Sequence, residues 1–210
     1  MGITHYWRVR PEALEQALPA VARDLAALRP YLPPLQGRGR GEEAVLQPDL
    51  VYFNGLEPAD YEDFVLTPRD HTEDGRIFGF CKTGFVEQRP YGRAVMAALA
   101  LLKWHCPEAA VNSDLLVADW DEPCRLVVRQ LGYPVDPFWV LEREAWRLRD
   151  GGGREFLAEG ERDPQHMLIW LDDLARQGAL PLQPPFRVVG PADGFAERRP
   201  HPHIRSVYLL

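Results

Sequence analysis

No apolar run in this chain approaches the ~18 residues that cross a membrane as a helix, and Met1-Gly2-Ile3-Thr4-His5 has neither the basic nor the apolar region of a secretory leader. Both absences lead to the expectation of a soluble, cytoplasmic protein with no membrane partner. Cysteine is scarce: Cys81, Cys106 and Cys124 stand alone with no C-x-x-C pair, which excludes a disulfide framework or a zinc ribbon and predicts reduced thiols. Basic charge is in deficit as well. The net charge of −7 and pI of about 5.4 disfavour generic nucleic-acid binding, because a phosphate backbone is repelled unless a local basic patch overcomes the global field. Among 24 basic residues only Lys82 and Lys103 are lysine, and Asn and Ser occur twice each, at Asn54, Asn112, Ser113 and Ser206. Drift in a GC-rich genome produces such a pattern. Asn54, Lys82, Asn112 and Ser113 are then candidates for positions where their own chemistry is needed.

What is present is ordinary globular material. The 210 residues are 46% hydrophobic and 26% charged, enough for one large domain or two small ones with a sizeable core. Ile3 to Arg10 reads as a strand. Pro11 then opens a helix on which Leu14, Ala17, Leu18, Val21, Leu25 and Leu28 follow the 3.6-residue period, with Pro19 expected to kink or divide it. Residues 30–48 read as a surface loop, and Leu50 to Phe53, Glu62 to Leu66 and Arg76 to Lys82 as strands. A helix is predicted from about Tyr91 to His105, a strand or hairpin from Ala110 to Ala118, and a helix opened by Asp121 and Pro123 and closed by Gly132. Phe138 to Arg149 and Arg154 to Ala158 flank Asp150-Gly151-Gly152-Gly153 as a hairpin. An amphipathic helix from Asp163 to Gln177 follows, burying Met167, Trp170, Leu171 and Leu174, and Ile204 to Leu209 forms a last strand. Strands and helices mix without regular βαβ alternation. The expected class is therefore α+β, a mixed and mostly antiparallel sheet packed with three or four helices. Gly132, Pro134 and Pro137 suggest a core over residues 1–132 and an appended α+β lobe over 133–210, continuous with the core.

An ordered set of short motifs runs through the first part: Met1-Gly2-Ile3-Thr4-His5-Tyr6-Trp7, Phe53-Asn54-Gly55, Glu62-Asp63-Phe64, Phe78-Gly79-Phe80-Cys81-Lys82-Thr83, Pro90-Tyr91, and Ser113-Asp114 with Trp120. This set resembles a family of uncharacterised bacterial and phage proteins that begin Met-Gly-x-Thr-His-Tyr-Trp. The resemblance covers roughly residues 1–132 and implies no activity. Tyr61 stands where that family carries His, six residues separate Thr83 from Pro90 instead of about three, and Gly92 and Leu115 replace Asp and Gly.

Lys82 ends an apolar strand on which Phe78 and Phe80 share its face. An ammonium in that setting pairs with a carboxylate or binds an anion. Glu62 and Asp114 enter or leave neighbouring predicted strands, so the expected constellation is Lys82, Glu62 and Asp114 with His5 as acid or base, and Tyr91, Asn54 and Thr83 as ligand contacts. A divalent ion on the two carboxylates would fit a hydrolase, yet no metal-ligand motif supports one, and the cofactor stays open. The competing reading is a structural ion-pair network. The restriction-nuclease layout fails because the position two before the lysine is Phe80. Cys81 alternates to the face opposite Lys82 and reads as a core cysteine. The Gly37–Gly41 run lacks phosphate-loop spacing, the Asp70–Gly75 turn lacks the Glu of a calcium loop, and His201-Pro202-His203 lacks a third ligand nearby.

Two functions follow. One is a cytoplasmic domain that binds or hydrolyses a small anionic ligand, nucleotide-like or phosphate-like, in a cleft where these side chains converge. The other is a non-enzymatic accessory or inhibitor protein of a mobile element, whose protein partner docks on an exposed patch while the same side chains are packed and mutually satisfied.

Overall fold

The computed structural model describes residues 2–39, 41–70, 72–141, 145–159, 168–169, 171–172, 175–176, 178, 182–191, 199–200 and 207–209. The chain divides into two compact units. The first, Met1–Leu115 with Asp119–Glu142, runs through β1 (Thr4–Val9), α1 (Pro11–Leu28), β2 (Leu35–Gln36), β3 (Val45–Gln47), β4 (Leu50–Gly55), β5 (Phe64–Leu66), β6 (Thr72–Glu73), β7 (Arg76–Lys82), α2 (Gly92–His105), β8 (Ala110–Ser113), α3 (Asp121–Leu131) and α4 (Pro137–Leu141). The second, Leu116–Ala118 with Arg143–Leu210, holds β9 (Ala145–Arg149), β10 (Glu155–Glu159), β11 (Arg187–Pro191), β12 (Arg199–Pro200) and β13 (Val207–Leu209). All described strand pairs are antiparallel, and the fold is α+β. No described helix is long and apolar enough to cross a membrane.

The first unit is organised by β1, which lies between β7 and β8 in a sheet of order β6-β7-β1-β8. Thr4 stands opposite Lys82, Tyr6 opposite Phe80 and Arg8 opposite Phe78, while His5 faces Ser113 across β8. Period-2 alternation then sorts the side chains: His5, Trp7 and Val9 of β1 and Ile77, Gly79 and Cys81 of β7 are buried, whereas Arg8, Phe78 and Phe80 are exposed. Close approach sets one residue in this sheet. A Cβ on Gly79 would lie 2.1 Å from Cε2 of Trp7, so only glycine lets the indole cross the strand. Asp74 and Gly75, both at positive φ, join β6 to β7 in the turn that a two-residue hairpin requires.

A second sheet is built on β4, which pairs antiparallel with β2, β3 and β5. Phe53, Phe64 and Trp7 meet there, with ring centroids 4.8 and 5.2 Å apart. Helix α2 is buried from Ala94 to Lys103 and packs against α1 and α3, as an alanine- and leucine-rich helix that is apolar all round must. Its last turn is closed by Lys103, whose ammonium donates to the carbonyls of Pro107 and Ala109 at 2.8 and 2.9 Å.

Several expectations need correction. Pro19 does not divide helix α1, which is continuous from Pro11 to Leu28: that proline sits on the exposed side while the buried stripe of Leu14, Leu18, Val21 and Leu25 holds the helix in place. The loop over 30–48 contains β2 and β3, the latter turning at Pro48-Asp49 to pair Gln47 with Leu50. The first part of the predicted strand from Phe138 is helix α4, and β8 stops at Ser113, followed by a 3-10 turn over Val117–Trp120. In the second unit β10 pairs with β9 and β13, and Leu148, Phe156, Ala158, Leu171, Leu182 and Phe186 form its core. Leu171 is thus buried as expected, while Met167, Trp170, Leu174, the helix start at Asp163 and the His201-Pro202-His203 pair lie outside the described residues.

Gly79→Ala should therefore destabilise the first unit by about 1–3 kcal/mol, the usual effect of forcing atoms into a packed core. Urea unfolding checks this, and an unchanged midpoint would mean that Trp7 can leave the glycine at no cost.

Candidate functional site

The motif residues do meet, at one end of the first sheet, but their polar atoms are used on one another. The Glu62 carboxylate accepts the backbone N–H of Lys82 at 2.8 Å, and the Asp114 carboxylate accepts that of Thr4 at 2.9 Å. Since Thr4 and Lys82 are cross-strand partners, Asp114 and Glu62 close the sheet end from its two sides, each supplying an acceptor where strand pairing stops. Neither carboxylate reaches the Lys82 ammonium, which makes no ion pair among the described residues. Its stem lies across Gly2, where a Cβ would come within 2.3 Å of Lys82 Cε.

His5 is fully buried in a directional chain. Its Nδ1 stands 3.0 Å from Ser113 Oγ and its Nε2 3.3 Å from Thr83 Oγ1, and the Thr83 hydroxyl lies 3.2 Å from the Gly84 carbonyl. The carbonyl can only accept, so Thr83 donates to it and takes the Nε2–H of His5, while Ser113 donates to Nδ1. This assigns a neutral imidazole protonated at Nε2. Burial pushes its pKa down to about 4, against an opposing pull from Asp114, and Trp120 packs edge-on to the ring at 5.6 Å. A base with both nitrogens occupied and no exposed atom has no proton to exchange with a substrate.

The other expected contacts are equally committed. The Asn54 amide donates to the Asp63 carboxylate at 2.9 Å and the Tyr61 carbonyl at 3.2 Å, and its oxygen accepts the N–H groups of Gly55 and Tyr61. That side chain braces the loop between β4 and β5. The Tyr91 hydroxyl donates to the Glu62 carbonyl at 2.9 Å, with the Lys82 carbonyl 3.3 Å away, and its ring fills the space where a Cβ on Gly55 would sit. Burial raises the pKa of both Tyr91 and Cys81, and the Glu62 charge raises that of Cys81 further; neither ionises near neutral pH. Cys81 is an inert core thiol.

A surface groove of about 420 Å³ lies elsewhere, lined by Tyr31, Leu32, Arg93, Leu126 and Arg129 among others, and includes none of the expected site residues. No group of three or more His, Cys, Asp or Glu placed to hold a metal ion occurs among the described residues. Sequence reasoning also missed a buried carboxylate. Asp24 receives Arg23, His105 and Tyr133 at 2.7–2.8 Å, tying α1 to the end of α2 and to the segment after α3. Burial raises its pKa, but those hydrogen bonds together outweigh that and hold it below the ordinary value. No pattern in the sequence connects residues so far apart.

What the sheet leaves open is its outer face. Phe80 is 55% exposed and Phe78 38%, Tyr6 lies beside them with its ring 6.4 Å from that of Phe78 and nearly parallel to it, and the Arg8 guanidinium stands 5.0 Å over Phe78. Arg76 and Lys82 occupy the same face at the two ends of β7. The alternation Arg-x-Phe-x-Phe-x-Lys carried this signal in the sequence. No family model, curated protein or solved structure matches the chain.

Lys82→Met keeps the stem over Gly2 and removes a charge without an ion-pair partner, so stability should change by less than about 0.5 kcal/mol. Its coupling to Glu62→Gln in a double-mutant cycle should be equally small, and a coupling above about 1 kcal/mol in urea melts would place the ammonium on the carboxylate after all. His5 gives a second expectation. Its unfolded pKa is near 6.5 and its folded one is lower, so the unfolded chain binds the proton first. The stability due to neutral His5 is complete above pH ~6.5 and declines as pH falls toward 4, by about 3 kcal/mol at most. Urea midpoints across that window, compared with a His5→Gln variant, should show the extra slope only with His5 present.

Proposed function

We propose that this chain is a non-catalytic binding protein of the cytoplasm, and that the outer face of the first sheet docks a macromolecular partner. The observation that carries this reading is the contrast between the two faces. Inside, His5, Thr83, Ser113, Asn54, Tyr91 and Cys81 are enclosed and hydrogen-bonded to protein atoms; outside, Phe78 and Phe80 stand in solvent on a central strand. Exposed rings side by side are the surface that a partner removes from water. Three free, buried thiols fit a reducing compartment. The reading in which a small anionic ligand is bound or hydrolysed keeps one supporting observation, the Lys82 ammonium, and that cation belongs to the same face.

A photo-crosslinking amino acid placed at position 80 in the full chain, in the cells that make it, tests the proposal. Adducts should form with a discrete macromolecule at position 80 and be absent when the same group replaces Tyr31, exposed in a different part of the unit. Equal adducts at both positions, or none at position 80, would overturn it.

A further inference from the structure

The groove of about 420 Å³ in the first unit contains no residue of the sheet face and suits a different kind of ligand. One wall is α3, where residues 122, 126, 129 and 130 share a helix face and carry the groove along about 12 Å of the axis. The other wall follows α1, where a 3-10 turn over Arg29–Tyr31 leads into Leu32 and Pro33. Leu32 and Leu126 are half-buried and present hydrocarbon. Pro33 and Pro123 add more, and having no N–H they put no backbone donor into the groove. The volume is that of a small-ligand cleft, typically ~300–1,000 Å³.

The charged groups that line the groove are unequally paired. At the start of α3, Arg93 and Glu122 neutralise each other, with Nε 3.0 Å from the carboxylate. At its other end Arg129 has no ion pair, hydrogen bond or ring contact among the described residues, and the Gln130 amide beside it has no hydrogen bond there either. The remaining charges of the two walls are paired: Arg125 with Asp121 and Arg29 with Glu43, each at 3.6 Å. One uncompensated guanidinium therefore stands at one end of an apolar channel. Arg129 lies in the last turn of α3, whose terminal carbonyls are partly negative, and the chain as a whole carries −7. Both oppose a dianion, and the charge that matches is a single negative one.

We infer that this groove binds a small apolar monocarboxylate, with its carboxylate on the Arg129 guanidinium beside the Gln130 amide and its hydrocarbon body between Leu126 and Leu32. The inference goes beyond the docking face of β1 and β7 and does not depend on it. A guanidinium meets a carboxylate in plane through two parallel N–H···O bonds, a geometry that an ammonium cannot reproduce. The leucines and prolines then take the ligand's hydrocarbon out of water. A peptide laid along the same channel would bring backbone N–H and C=O groups into it, and those need partners that leucine and proline side chains do not supply.

Titration of the full chain with octanoate, followed by amide proton–nitrogen NMR, tests this. Shift changes should centre on the amides of Tyr31, Leu32, Leu126 and Arg129 and fit a Kd between about 10 µM and about 1 mM, the range that a ligand of about ten heavy atoms supports. Octanol, with the same body and no charge, should bind at least about fivefold more weakly, and so should octyl phosphate at pH ~8, where it is a dianion. Arg129→Gln should weaken octanoate about tenfold and leave octanol unchanged, with Arg129→Lys between the two, while Leu126→Ala should weaken both ligands. Arg129 is exposed and unpaired among the described residues, so its replacement should leave the urea midpoint in place. No shift at these amides up to about 5 mM octanoate, octanol or octyl phosphate binding as tightly, or Arg129→Gln binding like the parent chain would overturn the inference. A discrete protein adduct at position 31, whatever forms at position 80, would also overturn it, because it would put a macromolecule in the groove.

Discussion

The first unit depends on β1 being paired on both sides. A strand hydrogen-bonded to β7 along one edge and β8 along the other has no free backbone to offer, so its side chains alone decide what each face becomes. His5, Trp7 and Val9 turn inward, and each imposes a condition on a neighbour: glycine at 79 beneath the indole, hydroxyls at 83 and 113 on either side of the imidazole. The outward positions carry no such obligation. A buried, uncharged histidine and an exposed row of rings are therefore two results of one strand's alternation.

This arrangement separates conservative chemistry from available chemistry. Side chains that look reactive in a list, such as Cys81, Tyr91 and His5, are those the interior desolvates, and burial moves every one of them away from a state useful at neutral pH. Those left accessible are rings and cations, whose uses are stacking and charge pairing. Net charge is a poor guide to such a face, since it averages over distances longer than the screening length.

Much of the fold was legible because it rests on periodicity. The 3.6-residue spacing of α1, the two-residue alternation of β7 and the glycine that closes α3 are local, and the structure follows them. Short pairings such as β2 and β3 were not legible, because two or three residues beside prolines carry no period and are defined only by β4. The candidate residues were legible as a group, since Lys82, Glu62 and Asp114 do end up at one edge. Their mutual geometry was not. Whether a carboxylate meets an ammonium or a backbone N–H depends on the last residue of a strand register, which spacing does not reveal. The Asp24 cluster shows the same limit, drawing its partners from residues 23, 105 and 133.

The enclosure of Lys103 has a practical consequence. Its nitrogen is buried at the end of α2, held by two carbonyls and lying 5.7 Å from the Trp139 ring centroid, whereas Lys82 keeps its ammonium at the edge of the outer face. A chain with two lysines, one of them sealed, presents amine-directed reagents with a single side chain to acylate. A fluorophore or an acyl group can thus be attached beside the rings of β7 in the unmutated protein, which makes that edge of the sheet addressable by chemistry alone.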